Sequence, residues 1–309
     1  MEIVVKINRV FIPLLTLAAG AAFAQDLPLT GELKVGSLSI IRSSSKINAG
    51  PLGIIESTTD VFGAAFTVTD LSKVVRTEQA PVTTIGSCFI TSIVQLEPPP
   101  RTDATTYLDA GPVLNITGPA GSKQFPLTKS GPGMTVLGYG GELGGGLPIP
   151  FLPPPPPLFV TPGTYTADNG AGGADVGAFT ATLNIGTLFS WTNPDAALSI
   201  DRAAGIDVTW TGGDPEAKVF IGGGVTLINA GTRRVDGGGV FTCVADNSAG
   251  HFVVPPEVLT LVPASTTTAG VPNGTFTVSH VVTAKFDAPG VGESQFSFAS
   301  GAFRASEYK

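Results

Sequence analysis

Few side chains in this sequence could carry out covalent chemistry. Among its 309 residues, the thiols and imidazoles are limited to Cys88, Cys243, His251 and His280. A structural zinc site of the usual kind would need nearly all of them at once. The sequence has no Gly-x-Ser-x-Gly motif for a nucleophilic serine, and nothing singles out a catalytic pair among its 24 acidic residues. These patterns favour a protein that is not an enzyme; a hydrolase whose site the pattern does not show is the alternative.

The two cysteines predict one disulfide bond. Cys88 and Cys243 each lie in a stretch rich in β-favouring residues, and an even cysteine count in an exported chain is typical of such a bond. The bond would close a loop of about 150 residues. Two separate buried thiols are the alternative, since free cysteine is common in protein cores.

An acidic, glycine-rich loop spans residues 168–175 (DNGAGGAD). The side-chain oxygens of Asp168, Asn169 and Asp175 stand among glycines that let backbone carbonyls turn inward, and Ca²⁺ prefers about six to eight such oxygens. The loop therefore suggests a structural calcium site, the single cofactor that the sequence indicates. A glycine-rich turn between strands is the alternative.

Two aromatic residues near this loop are candidates for stacking against a sugar ring. Trp191 comes just before a turn, so we expect it to be partly exposed, and Tyr165 lies in a predicted strand. Aromatic faces of this kind bind ligands by stacking. Trp210 alternates with Ile206 and Val208, which predicts a core position, and the apolar surroundings of His280 predict a strand residue rather than a catalytic base.

The first 24 residues have the order of a secretory signal peptide. Lys6 and Arg9 precede an apolar run at residues 10–22, which ends in the small-x-small site Ala22-Phe23-Ala24. The run is shorter than the roughly 20 apolar residues that a spanning helix needs. We therefore expect cleavage after Ala24, no transmembrane segment in the mature chain, and a protein that is secreted, periplasmic or at the cell surface.

Composition excludes several classes of protein. The net charge is −7, and removal of the signal segment, with its net charge of +1, would leave −8, which argues against nucleic acid as a partner. Charged residues are 13% of the chain, about half the usual share, so the chain lacks the high charge of disordered proteins despite its 40 glycines and 26 prolines.

Short runs of Val, Thr, Ile and Phe between turn residues predict strands. They lie at 33–42, 64–68, 88–96, 113–117, 135–139, 163–167, 179–185, 197–201, 206–210, 218–221, 239–244, 275–286 and 295–303. Their spacing predicts an all-β fold, specifically an immunoglobulin-like β-sandwich. One short helical turn is predicted near residues 256–261, because prolines begin it and Pro263 ends it.

A proline-rich segment at residues 151–162 divides the chain. Its five consecutive prolines, residues 153–157, predict a stiff loop or linker between an N-terminal β region at 25–150 and a C-terminal β-sandwich region at 163–309. The mature chain could form one elaborated sandwich or two packed sandwiches. A Cys88–Cys243 bond would cross the division, which favours one continuous unit.

Several segments together resemble a family of uncharacterised secreted bacterial proteins. They are residues 107–111 (YLDAG), 172–179 (GGADVGAF), 191–193 (WTN), 209–213 (TWTGG), 241–243 (FTC) and 252–255 (FVVP) with Val258, Leu259 and Pro263. The resemblance covers roughly residues 88–265. It implies a β-rich fold and export, and it implies no activity and no catalytic residues.

The sequence thus favours an exported, non-enzymatic structural or interaction protein. A carbohydrate-binding or adhesion module is the alternative, with Trp191, Tyr165 and the 168–175 loop as its site. The partner would be a protein or a cell-surface glycan.

Overall fold

The computed structural model describes residues 30–48, 54–74, 82–93, 104–130, 136–148, 153–228, 231, 235–268 and 271–309. The predicted signal peptide lies outside these residues. The described chain is all-β, as predicted. Its strands and its one α-helix are β1 Glu32–Asn48, β2 Ile54–Asp70, β3 Val82–Ile85, β4 Cys88–Ile93, β5 Thr105–Tyr107, β6 Val113–Gly118, β7 Gly121–Pro126, β8 Thr128–Ser130, β9 Val136–Gly146, β10 Gly163–Asp168, β11 Thr180–Ile185, β12 Ser190–Trp191, β13 Ser199–Ile200, β14 Ile206–Thr211, β15 Lys218–Ile228, β16 Val235–Asp246, β17 His251–Val254, α1 Pro256–Leu259, β18 Thr267–Thr268, β19 Val271–Pro272, β20 Gly274–Ala288 and β21 Gly292–Tyr308.

The helical turn predicted near 256–261 is confirmed as α1, which begins at Pro256 and buries Val258 and Leu259. Proline suits a first helical turn because its missing N–H would have no partner there. No helix within the described ranges has the length and apolar character needed to cross a membrane.

One large sheet organises the molecule. Its strand order is β3-β4-β16-β15-β20-β21-β1-β2-β9-β8, with β13 added on β21 and β5 added on β2. At its centre the first and last long strands, β1 and β21, pair in parallel. The four long strands have 15 to 17 residues, so the predicted strands at 33–42, 64–68, 275–286 and 295–303 are parts of longer ones.

Side chains alternate across these long strands, and one face of the sheet is covered. The even-numbered residues of β1, β2, β20 and β21 form the inward face, because successive residues of a strand point to opposite sides. A four-stranded sheet, β11-β10-β6-β7, packs on one half of this face. The first core includes Leu38, Ile40, Phe62, Phe66, Phe296 and Phe298 from the main sheet and Leu114, Ile116, Tyr165 and Leu183 from the smaller one.

The other half of the inward face is covered by the three-stranded sheet β12-β14-β17 and by α1. Phe276 and Tyr308 of the main sheet pack there with Val208, Trp210 and Leu259. Two separate hydrophobic cores therefore lie side by side on a single sheet.

Between the two cores the inward face becomes polar. Arg42 and Asp60 are opposite each other on β1 and β2, and they form a bidentate ion pair with Nε–Oδ1 and Nη2–Oδ2 distances of 2.7 Å. The Asp60 side chain is fully buried and also accepts a hydrogen bond from Val160 N at 2.8 Å, while Arg42 Nη2 donates to Val160 O at 2.6 Å. The pair thus attaches the main sheet to the chain that enters β10.

The division at residues 151–162 does not separate two sheets. In the main sheet the C-terminal strands β16, β15, β20 and β21 lie between two groups of N-terminal strands, β3 and β4 on one side and β1, β2, β9 and β8 on the other. Cys88 and Cys243 lie directly opposite each other on β4 and β16 and form the predicted disulfide. The two predicted regions share one sheet.

We expect the Cys88→Ser/Cys243→Ser double variant to lose about 3–5 kcal/mol of unfolding free energy, because the bond joins residues 155 apart and restricts the unfolded chain. Urea denaturation of both proteins measures this. As a control, a reductant should lower the stability of the wild type to the level of the variant and leave the variant unchanged. Equal midpoints for oxidised wild type and variant would contradict the expectation.

Removing one member of the buried ion pair should cost more than removing both. Asp60→Ala leaves the Arg42 guanidinium charged and unpaired, and we expect a loss of about 3–5 kcal/mol. The Arg42→Met/Asp60→Leu double variant leaves no charge buried and should be clearly more stable than Asp60→Ala. Urea denaturation of the single and double variants provides the test, and a double variant that is less stable than Asp60→Ala would refute it.

Candidate functional site

The predicted calcium loop is attached to the protein by its own side chains. Asn169 is buried, and its Nδ2 donates to the carbonyls of Ala110 and Gly177 at 2.9 and 3.0 Å. Its Oδ1 accepts from the N–H of Phe179 at 2.8 Å. The amide therefore satisfies three backbone groups that would otherwise be unpaired in the interior.

The two carboxylates of the loop also have partners within the protein. Asp168 Oδ1 accepts from Asn115 Nδ2 and from the N–H of Gly170, at 2.9 and 3.0 Å. Asp175 Oδ2 accepts from the N–H of Asp109 at 2.8 Å, and the N–H of Asp175 donates back to Asp109 O at 3.0 Å. The loop is thereby fastened to residues 109–111.

The geometry gives each predicted calcium ligand a structural task. In the part of the chain that the structure describes, no group of three or more His, Cys, Asp or Glu side chains could hold a metal ion. A shallow depression of about 310 Å³ lies beside the loop, lined by Asp168, Gly170, Ala178, Phe179 and Thr180. Calcium binding at Asp168, Asn169 and Asp175 stays a prediction.

The two aromatic residues predicted to stack against a sugar are both buried, which corrects that prediction. Tyr165 is 0% exposed, and its hydroxyl accepts from Thr161 N and donates to Thr161 O, each at 2.8 Å. Trp191 is 7% exposed; Phe276 packs 5.7 Å from its ring centroid, and the guanidinium of Arg304 lies 5.7 Å over the ring. Both rings serve the cores, so neither offers a face to a ligand. Trp210 is buried, as predicted.

The histidines differ in environment. His280 is a buried strand residue, as predicted, stacked on Phe189 with ring centroids 5.3 Å apart. Its Nε2 lies 3.0 Å from Asp214 N and 3.3 Å from Asp214 O, and its buried Nδ1 has no hydrogen-bond partner among the described residues. Burial lowers the pKa of His280 below its ordinary value of 6.5. His251 is exposed beside Asp207.

A further surface feature is the side of the main sheet opposite the two cores. We call it the open face: the odd-numbered residues of β1, β2, β20 and β21 together with their neighbours on β15 and β9. No odd-numbered residue of the four long strands belongs to either core, and those whose burial is described are partly or fully exposed. In register across β20, β21, β1 and β2 its central rows are Thr283-Ser297-Ser39-Gly63, Val281-Ala299-Ile41-Val61, Ser279-Gly301-Ser43-Thr59 and Thr277-Phe303-Ser45-Ser57.

These central rows combine small side chains with an absence of charge. Every position holds Ser, Thr, Gly, Ala, Val, Ile or Phe. Several hydroxyls bond to neighbouring strands instead of pointing to water: Ser39 Oγ donates to Gly63 O at 3.3 Å, and Thr277 Oγ1 donates to Gly222 O at 3.3 Å. A hydroxyl that already has a protein partner loses less when water is removed. Water can therefore be removed from the central rows of the open face at a low cost in free energy.

The open face was not predicted as a site, although its signal is visible in the sequence. Alternation in the 33–42 strand places Val35, Ser37, Ser39 and Ile41 on one side, which proves to be the open side. Mixed Ser and apolar residues on that side differ from the purely apolar inward side. The sequence of this strand does not show which of its two sides is covered, because the strands that cover it come from distant parts of the chain.

No family model matches the chain, and no curated protein is significantly similar to it.

The burial of His280 predicts a pH-dependent stability. In the unfolded chain His280 binds a proton near pH 6.5, whereas in the folded chain it binds that proton only at a lower pH. Its contribution to the free energy of unfolding is therefore fully present above about pH 6.5 and is lost as the pH falls. In urea unfolding between about pH 7.5 and 5, His280→Gln should show a smaller loss than the wild type. His251→Gln is the matched control and should keep the wild-type dependence; identical slopes for His280→Gln and wild type would refute the assignment.

Proposed function

We propose that the protein is an exported, non-enzymatic interaction protein, secreted, periplasmic or held at the cell surface, and that the open face is its binding region. The observation that carries this proposal is that the central rows of that face hold no charged side chain and are not covered by any of the residues that the structure describes. Charged residues are depleted from the centres of protein interfaces, because removing a charge from water is costly. A broad sheet face whose central rows lack charge is therefore suited to a partner that excludes water from it.

Export is supported by two independent features. The Cys88–Cys243 bond is of the kind that persists outside the reducing cytosol. The first 24 residues have the order of a signal peptide.

For the fold we propose two immunoglobulin-like sandwiches that share the main sheet, one around each core. The chain would belong with the secreted bacterial family that its motifs resemble. This is supported by the way the motif residues meet: Asp109 of YLDAG bonds Asp175 of GGADVGAF, and Asn193 Oδ1 of WTN accepts from Thr209 N of TWTGG at 2.9 Å. The shared residues would then preserve a fold, not a reaction.

Glycan binding or adhesion is the second candidate function. It is favoured by the depression beside Asp168, whose lining also includes Thr180. Asp168 and Thr180 are opposite each other on β10 and β11, next to the pair Thr166 and Thr182. Neutral hydroxyls beside one carboxylate suit a polyhydroxyl ligand, and the buried aromatic rings would have no part in it.

In-cell cysteine labelling tests the proposed function. Ser43→Cys places a thiol on the open face, and Thr182→Cys places one on the exposed side of β11 as a matched control. In cells of the source organism, a maleimide that cannot cross the cytoplasmic membrane should label Thr182→Cys fully. Ser43→Cys should react several-fold more slowly in cells than in dilute purified protein, because a partner covers it.

Two results would contradict the proposal. Failure to label Thr182→Cys until the cytoplasmic membrane is opened would exclude export. Equal labelling rates of Ser43→Cys in cells and in dilute solution would show that nothing covers the open face.

A further inference from the structure

We propose that the occupant of the open face is a second copy of the same chain, docked face to face about a two-fold axis along the seam between β21 and β1. This inference rests on the proposed function, because it uses the same face and names its partner. The evidence is the order of residues in a row across the strands. When this row is read in the opposite direction on a second copy, its charges and side-chain sizes complement those of the first copy.

The strands on the two sides of the seam are matched in number. From the seam outward, one side has β21, β20 and β15, and the other side has β1, β2 and β9. A two-fold axis along the seam turns a second copy over, so that β15 of one copy lies above β9 of the other, β20 above β2, and β21 above β1. Two-fold symmetry is the commonest arrangement of soluble oligomers, and it requires a surface that complements itself.

The row that contains Ile41 meets this requirement in charge. Across the sheet it reads Lys218, Val281, Ala299, Ile41, Val61, Glu142. Reversed on a second copy, Lys218 lies above Glu142 of the partner subunit, and Glu142 lies above the partner's Lys218. The only charges in this row between β15 and β9 are therefore at its ends, with opposite signs, where the symmetry brings them together.

The same row also matches in size. Val281 faces the partner's Val61, and the small Ala299 faces the partner's Ile41. Two rows further along, Phe303 faces the partner's Ser45, and in the row between them the small Gly301 faces the partner's Ser43. Opposing a large and a small side chain is how two stacked sheets interdigitate at a spacing of about 10 Å.

The area is sufficient for a stable dimer. Each outward residue occupies one strand spacing and two residue rises, roughly 30 Å². The rows across these six strands contain about two dozen outward positions, so the face covers roughly 700–800 Å² on each copy. A standard interface buries about 800 Å² per partner.

Lys218 already has a partner on its own chain, Asp246. Both side chains are more than half exposed, so this surface ion pair contributes little, and Lys218 can also reach Glu142 of the partner subunit. The charged ends of the row therefore set the orientation of the two copies, while the small uncharged centre supplies the contact.

Sedimentation equilibrium of the oxidised protein, across a wide concentration range, tests the inference. The wild type should be in equilibrium between monomer and dimer. Ala299→Arg should weaken dimerisation by about 100-fold or more, because it puts two charges at the centre of the contact. Thr182→Arg, on the exposed side of β11, is the matched control and should dimerise like the wild type.

A charge exchange tests the orientation. Lys218→Glu and Glu142→Lys should each weaken the dimer by about tenfold, since each places like charges opposite each other. The Lys218→Glu/Glu142→Lys double variant should regain wild-type affinity. Circular dichroism of each variant checks that the sheet is retained.

Directed crosslinking gives a readout that does not depend on affinity. An oxidised mixture of Val281→Cys and Val61→Cys chains should form a mixed covalent dimer faster than either chain alone, because the axis places these two positions opposite each other and keeps each away from its own copy.

The outcomes separate this inference from the proposed function. A wild type that stays monomeric at every concentration, or dimers that tolerate Ala299→Arg and ignore the charge exchange, would overturn the second-copy assignment. If Ser43→Cys is nevertheless protected in cells, the open face has a different partner and the proposed function stands. If Ser43→Cys is unprotected in cells as well, both fail.

Discussion

The buried ion pair between Arg42 and Asp60 is the constraint on which the arrangement of this molecule depends. Two charges on the inward face of a sheet must find each other and a third polar group, and here Val160 supplies both a backbone donor and a backbone acceptor. A slip of one residue between β1 and β2 would put Arg42 and Asp60 on opposite faces of the sheet and leave the inward charge without its partner. The pair therefore fixes the central register and the place where the covering chain attaches.

The polar residues between the two cores also explain why one sheet carries two cores. On β21 the apolar inward residues Phe296 and Phe298 of the first core are followed by the polar Ser300. Ala302 and Tyr308 then pack in the second core, with the polar Arg304 and Ser306 between them. Apolar side chains would have allowed one continuous covering layer. The interruption limits each smaller sheet to its own half, and the long strands that run through both halves join them into one unit.

The residues that first suggested ligand chemistry serve the architecture. Asn169 satisfies three backbone groups, Asp175 fastens one loop to another, and Tyr165 and Trp191 fill the cores. Polar and aromatic side chains in glycine-rich segments have the composition of binding loops, but a loop that connects buried strands needs the same groups to pair its own backbone. Composition does not separate the two uses, and the hydrogen bonds show the structural one at these residues.

The sequence by itself determined the all-β class, because alternation and turn residues act locally, and it indicated the disulfide and the turn at α1 for the same reason. Tertiary structure alone decided the parallel pairing of β1 with β21, the burial of Trp191, and which side of each long strand is covered. Those outcomes depend on contacts between segments far apart in the chain, and a period-two pattern says that two faces differ without saying which one another layer will cover. The open face is uncovered because the two smaller sheets pack on the inward side of the long strands.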